Sequence, residues 1–335
     1  MFGLGSFITD NNEEITFLTD DSLLHVNARS CINHVLATMS AKTIWIPSYL
    51  CESVFTITSR FKNHRYYPVN YDLSIDDSWI SSIQRNDLVI LIDYFGFKCK
   101  VEIKHAIKSK GAWLLEDASQ ALLSSITDPF TDFVVFSPRK YVGVPDGGIL
   151  KTNGSLIMQN RQAKFQPPSD WWEKAYTAAK CRRQFDLEGG ENIWFKLFRE
   201  VENEAPTGNI AMSDFSRRLL KQGFDYRQIA EVRRSNFNCL LERLDDYAIY
   251  HELPAGVVPL GYPCICRNRD QVIDSLYGQL IFPPVHWAIN GFVPDEFLQS
   301  HTLSNQIMTL PCDQRYDSED MNRIADAFLK VAHKC

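Results

Sequence analysis

The stretch FSPRKYVGVPDGG, Phe136 to Gly148, sets a lysine, Lys140, three residues after Ser137 and before a Pro-Asp-Gly-Gly turn. Ser137 itself ends an apolar run, Phe133 to Phe136. A second run, Trp113 to Leu115, ends in Glu116 and Asp117, with Gln120 close behind. An amine, a hydroxyl, a carboxylate and an amide therefore follow neighbouring apolar runs. A lysine amine can hold a carbonyl compound covalently, and a buried carboxylate can hold a protonated ring nitrogen. A plainer reading stands beside this one. An Asp after a strand commonly turns or caps the chain, and a loop lysine is commonly solvated.

The four side chains matter together only if strand ends present them. In open α/β sheets, ligands gather at the carboxyl ends of the strands. The chain from about 28 to 150 alternates helix and strand. ARSCINHVLATM has helical spacing at Cys31, Ile32, Val35, Leu36 and Met39. TIWIPS reads as a strand, CESVFTITSRF as a helix and HRYYPV as a strand. SIDDSWISSIQ reads as a helix entered at Ser74, with acidic residues in its first turn. DLVILIDYFG is continuously apolar, as in a strand buried on both faces. VEIKHAIKSKG reads as a helix stopped by Gly111. AWLLEDASQ, DFVVFS and GGILKTN supply further strands. This alternation predicts a mainly parallel α/β sheet.

After about residue 165, PPSDWWEKAYTAAKCRRQF and NIWFKLFREVENEA read as aromatic-rich helices, and 212–246 as one long helical stretch. The expected division is a large α/β domain over 1–220 with a helical insert at about 165–205. Residues 221–335 would then form a linking helix and a smaller α+β domain.

One cofactor draws on the whole set of strand-end groups. Pyridoxal 5'-phosphate needs a lysine amine, a carboxylate at its ring nitrogen, and hydroxyls with a helix N-terminus for its phosphate. Lys140, Asp117 and Ser137 match these needs, and the helix starting near Asn27 offers the N-terminus. Gly147 and Gly148 let the chain turn back into the sheet.

Composition narrows the class. The net charge of −6, with 45% hydrophobic and 23% charged residues, is that of an ordinary globular protein. No basic patch points to nucleic acid. No apolar run approaches the ~20 residues of a membrane helix, and the first residues lack a signal-peptide pattern. Nine cysteines without a framework fit reduced thiols, so the expected location is the cytoplasm. Cys264 and Cys266 lack a second pair at finger-like spacing, so no metal is expected.

The segment LLEDASQALLSS…DFVVFSPRKYVGVPDGGIL resembles the centre of the DegT/DnrJ/StrS sugar aminotransferases, which are fold-type I, pyridoxal-phosphate-dependent enzymes. NARSCINHVLATM, IWIPSYLCESVFTI, LVILIDYFG, GNIAMSDFSRRLL and IMTLPCDQRYDSEDMNRIADAF resemble further family segments in the same order. The resemblance implies a mainly parallel seven-stranded sheet with helices on both faces and a smaller C-terminal α+β domain. It implies Lys140 as the Schiff-base lysine and proton shuttle, Asp117 at the pyridinium nitrogen and Gln120 by the ring hydroxyl. Ser137 and the backbone at Ala28 and Arg29 would bind the phosphate. Asn209 would reach the cofactor of a second subunit, making a homodimer with shared sites. The implied reaction is a ping-pong transfer of an amino group from an amino acid such as glutamate to a keto-sugar nucleotide.

The sequence also departs from the family. Gly-Thr of the phosphate helix is Ala28-Arg29, the ring-stacking aromatic aligns with Cys51, and the Arg of N-x-R-M is Ala211. Tyr49 or Tyr94 could replace the aromatic, with a core role as the plainer reading. The Ser137 to Lys140 spacing is short, and the insert from Trp171 to Trp194 is unusual. Arg29 and Arg315 are candidates for the donor carboxylate, and His286 for a pocket-lining residue. The alternatives are another pyridoxal-phosphate reaction, such as dehydration or lyase chemistry, and a non-catalytic cofactor-binding sensor.

Overall fold

The computed structural model describes residues 17–124, 128–153 and 163–332. Seven strands form one mixed sheet: β1 (Leu23–His25), β2 (Ile44–Pro47), β3 (His64–Tyr67), β4 (Leu88–Ile92), β5 (Trp113–Asp117), β6 (Phe133–Phe136) and β7 (Gly148–Thr152). Their order is β1-β7-β6-β5-β4-β2-β3, with helices on both faces. β2 runs parallel to β3 and β4, and β5 runs parallel to β6. β7 is antiparallel to both of its neighbours. All five residues of β4 are buried, as its unbroken apolar run requires. A two-stranded antiparallel sheet, β8 (Tyr262–Ile265) with β9 (Ile307–Leu310), lies in the C-terminal part.

The chain divides into two compact units. One holds the residues up to Ala41, Leu115–Leu122 and Thr131–Gln228, and the other holds Lys42–Leu114, Leu123–Phe130 and the chain from Ile229 on. Within the first unit, α1 (Ala28–Thr38) packs against β1, β6 and β7. Its pattern buries Cys31, Ile32, Val35 and Leu36, while Met39 is the C-cap. Helices α4 (Ser169–Glu188) and α5 (Ile193–Asn203) form a hairpin in the same unit. Trp171, Ala175, Ala178 and Val201 bury their side chains with Val26, and the Trp171 indole donates to the Val201 carbonyl at 3.1 Å. The aromatic-rich insert is thus anchored one residue before the N-cap of α1.

Two expected helices differ from what is found. The segment from Ser74 has only one 3-10 turn, Ile80–Ser82. Asp72 accepts the Ser74 N–H at 3.0 Å, and Asp76 accepts the Ser78 N–H at 2.9 Å. These side-chain bonds give the backbone an alternative to helix. The stretch 212–246 is two helices, α6 (Asp214–Gln222) and α7 (Tyr226–Leu244). Gly223 ends the first, and Asp225 accepts the Gln228 N–H at 2.8 Å as the second begins. Shorter elements include α2 (Glu52–Thr58) and α3 (Val101–Ser109). Among the described residues, no helix is long and apolar enough to cross a membrane.

Candidate active site

The site residues of the first unit hang on three junctions. The first is the end of β5. Leu115, Glu116 and Asp117 pair in parallel register with Phe133, Val134 and Val135 of β6, so Asp117 ends its strand two residues before the level of Ser137. Asp117 is 5% exposed, and its carboxylate accepts the Ser119 N–H at 3.0 Å. Glu116, one step back and fully buried, is satisfied separately by the Thr131 hydroxyl at 2.8 Å.

The second junction is the turn after β6. Pro138, Arg139 and Lys140 make one 3-10 turn entered at Ser137. Proline at its first position fixes φ for that turn and needs no hydrogen-bond acceptor there. The Lys140 N–H reaches the Ser137 carbonyl at 3.1 Å. This tight turn takes up the short Ser-Pro-Arg-Lys spacing. Lys140 is half-buried, whereas every residue from Tyr141 to Leu150 is buried. The Tyr141 hydroxyl donates to the Gln120 carbonyl at 2.5 Å. The residue after the lysine therefore ties the turn to the segment that carries Asp117 and Gln120.

The third junction presses the end of that turn onto α1. The Gly147 N–H donates to the Val26 carbonyl at 2.8 Å. A Cβ on Gly148 would lie 2.2 Å from the Asn27 carbonyl carbon and 2.6 Å from the Ala28 nitrogen. Only glycine permits that approach. Asp146 holds the turn from the other side. It is fully buried and accepts the Ser213 N–H at 2.7 Å, the Ser213 hydroxyl at 2.6 Å, and the Ser216 hydroxyl. Burial raises its carboxyl above the ordinary range, against the hydrogen bonds of Ser213 and Ser216 and the charge of Arg139. Asp146 was readable only as part of a Pro-Asp-Gly-Gly turn, because Ser213 and Ser216 lie far along the chain.

At the start of α1, the Asn27 side chain accepts the Ser30 N–H at 2.9 Å and donates to the Pro206 carbonyl at 2.8 Å. Such a cap contributes about 1 kcal/mol. Ala28 and Arg29 are the first two helical residues. The Ser30 hydroxyl is buried with no hydrogen-bond partner among the described residues. One turn in, burial and then the charge of Asp117 push the Cys31 thiol well above its usual value. The Arg29 guanidinium donates to the Glu202 carbonyl at 3.5 Å, and Arg139 pairs with the Glu202 carboxylate at 2.6 Å. Burial opposes the charge of Glu202, but Arg139 first and Arg29 after it hold its carboxyl below the ordinary range. Sequence reasoning singled out neither Arg139, Ser30 nor Glu202.

Asn209 lies beside the sheet edge. Its side-chain carbonyl accepts the Lys164 N–H at 3.3 Å, and its backbone carbonyl accepts the Phe165 N–H at 3.2 Å. Ala211 continues that edge by bridging to His25. Cys51, Tyr49, Tyr94, His286 and Arg315 belong to the other unit. Cys51 is the N-cap residue of α2, its sulfur 3.0 Å from the Ser53 hydroxyl. The rings of Tyr49 and Tyr94 are 5.9 Å apart, and Tyr49 also meets Trp287 at 5.6 Å. Arg315 grips Asp313 with two nitrogens at 2.8 and 3.0 Å, and His286 Nδ1 is 2.9 Å from the Thr309 hydroxyl.

No family model matches the sequence, and no curated protein does. Solved structures match in fold. Spr1654 from Streptococcus pneumoniae, assigned as a sugar aminotransferase and solved in its PMP form, has a TM-score of 0.69 at 13% identity, covering 93% of this chain and 88% of that one. A DegT DnrJ EryC1 StrS aminotransferase from Brucella abortus gives 0.62 at 16%, with 93% and 86% covered. NtdA from Bacillus subtilis, with bound cofactor PMP, gives 0.68 at 14%, with 93% and 73% covered. The fold is therefore that of the sugar aminotransferases, as the sequence resemblance implied.

Proposed function

We propose that this chain is a pyridoxal-phosphate-dependent aminotransferase that moves an amino group from an amino acid to a keto-sugar nucleotide. One observation carries the reading. A single turn ties a lysine to the loop of a buried carboxylate through Tyr141 and Gln120, and to a helix N-terminus through Gly147 and Gly148. The residues present fit the cofactor. Asp117 is a buried acceptor, the Ser30 hydroxyl is buried without a partner, and the Gly148 cradle brings the turn against α1.

When bound, pyridoxal phosphate supplies an aldehyde for a lysine amine and a ring that accepts an electron pair from a substrate carbon. Lys140 would hold it, and its Nζ, once released, would take a proton from the donor's α-carbon and return it elsewhere. Asp117 would keep a proton on the ring nitrogen, and Gln120 would lie by the ring hydroxyl. Ser137, the Ser30 hydroxyl and the N–H groups of Ala28 and Arg29 would receive the phosphate, since a helix N-terminus favours an anion. Glutamate is the proposed donor. The keto-sugar nucleotide is proposed on the fold shared with DesI, which was solved in the presence of its TDP-sugar product. A homodimer in which Asn209 serves the neighbouring site and a cytoplasmic location complete the proposal.

The test is borohydride reduction of the protein incubated with pyridoxal phosphate, followed by peptide mass mapping. We expect the added mass on Lys140, and no covalent addition at this site in Lys140→Ala. Label on another lysine, with Lys140 unmodified, would overturn the reading.

A further inference from the structure

The α4–α5 hairpin brings Glu202 to two guanidinium groups, one at its carboxylate and one at its backbone carbonyl. Glu202 of α5 lies 2.6 Å from Nη2 of Arg139, and its carbonyl accepts from Nη2 of Arg29 at 3.5 Å. Arg139 immediately precedes Lys140, and Arg29 is the second residue of α1. The Arg139 side chain is 13% exposed. Its Nε and Nη1 are buried and meet no acceptor among the described residues. Asp146 adds negative charge nearby, but its oxygens are taken by Ser213 and Ser216.

A guanidinium keeps its charge across the working pH range and offers only donors. One that is mostly buried and engaged at a single nitrogen holds unmet donors beside the proposed covalent lysine. A small oxyanion matches such donors better than a neutral group or a cation.

We propose that Arg139 is an oxyanion-binding residue of the Lys140 site, with Glu202 as the internal counter-ion against which the ligand competes. Arg29 adds a second positive charge on the same side. The ligand is a phosphate or a carboxylate, and its source is either the cofactor's phosphate or the amino donor's carboxylate. The choice between these sources rests on the proposed function, while oxyanion binding itself does not.

The experiment titrates the full-length protein with inorganic phosphate by calorimetry, in wild type, Arg139→Gln and Glu202→Gln. Arg139→Gln is expected to weaken phosphate at least tenfold. Glu202→Gln is expected to tighten it several-fold, because the guanidinium loses its competitor while keeping its place. A purely structural ion pair gives the opposite sign in the second variant. Absence of phosphate binding by the wild type, an unchanged affinity in Arg139→Gln, or weakened binding in Glu202→Gln would each overturn the proposal. Glu202→Gln decides the matter even if Arg139→Gln fails to fold.

Titrations with pyridoxal phosphate and with pyridoxal then separate the sources. Loss confined to the phosphorylated form assigns the cofactor's phosphate. Unchanged cofactor affinity with a tenfold rise in the glutamate concentration for half-saturation assigns the carboxylate. A wild type that binds phosphate through Arg139 but never labels at Lys140 sinks the functional reading and leaves this one standing.

Discussion

The turn from Ser137 to Gly148 and the hairpin of α4 and α5 both bring groups to the start of α1, and they do so by different means. The turn works through backbone. Its N–H and C=O groups meet Ser137, Pro138 and Val26, and Gly148 touches Asn27 with no room for a side chain. The hairpin works through long side chains. Its base is packed around Trp171 and Val201, but Glu202 reaches Arg139 by an ion pair. Backbone contact fixes a position to within tenths of an ångström and tolerates almost no change. A mostly buried guanidinium can exchange one anion for another as long as it stays paired. The lysine therefore rides on the rigid device, and the adjustable charge rides on the other.

The largest expected effect breaks the rigid side. Gly148→Ala places a methyl group 2.2 Å from the Asn27 carbonyl carbon and 2.3 Å from its oxygen. Both atoms are backbone and belong to the N-cap of α1, so neither can swing away. Overpacking usually costs 1–3 kcal/mol; here we expect about 3 kcal/mol or more, read as a lower urea midpoint. A loss under about 1 kcal/mol would show that the turn and α1 are less tightly locked than the distances state.

How much of this was readable from residues alone follows from the range of each interaction. β4, β5 and β6 were readable because their apolar runs are continuous and end in Asp93, Asp117 and Ser137. The start of α1 was readable from its spacing. The helix expected from Ser74 was not found, because Asp72 and Asp76 capture nearby N–H groups, a competition that apolar spacing does not register. The positions of Lys140 and Asp117 could be marked as polar residues after strands. The link through Tyr141 to Gln120 could not, since it depends on a tertiary contact. Glu202 lay inside NIWFKLFREVENEA, a segment that reads from its residues as an aromatic-rich helix with no mark on that carboxylate. Only the packing of Trp171 and Val201 near Val26 turns it toward Arg139 and Arg29.

His25 pairs with Gly148 in the β1–β7 register, is fully buried, and has its ring 4.9 Å from that of His34. Burial first, then the charge of His34, lower it to about 4, against the Ile210 carbonyl, an acceptor that favours a ring N–H. The folded value lies below the ordinary 6.5, so the folded state disfavours the proton. Its contribution is complete above about pH 6.5 and is lost as the pH falls toward 4. Between pH 7.5 and 4.5, the wild type should lose about 2 kcal/mol more than His25→Gln, by urea unfolding at each pH. Equal losses in the two proteins would remove His25 from the acid response of this side.

The smallest effect belongs to the far end of the hairpin. Arg182 lies over the Trp194 ring, 4.0 Å from its centre, and is also held by Asp186 at 2.8 Å. A cation–π contact of this kind contributes about 0.5–2 kcal/mol. Trp194→Leu removes it but keeps an apolar side chain, and it also removes an indole N–H that is buried without a partner. Relief of that unmet donor offsets part of the loss. The net cost should be about 1 kcal/mol or less by urea midpoint, because Asp186 still fixes Arg182. Phosphate affinity should stay within twofold of wild type, because Glu202 is positioned by the packed base around Val201 and not by the tip. A tenfold change in phosphate affinity would mean that the hairpin moves as one rigid lever, and the contrast between a fixed turn and an adjustable side-chain contact would fail.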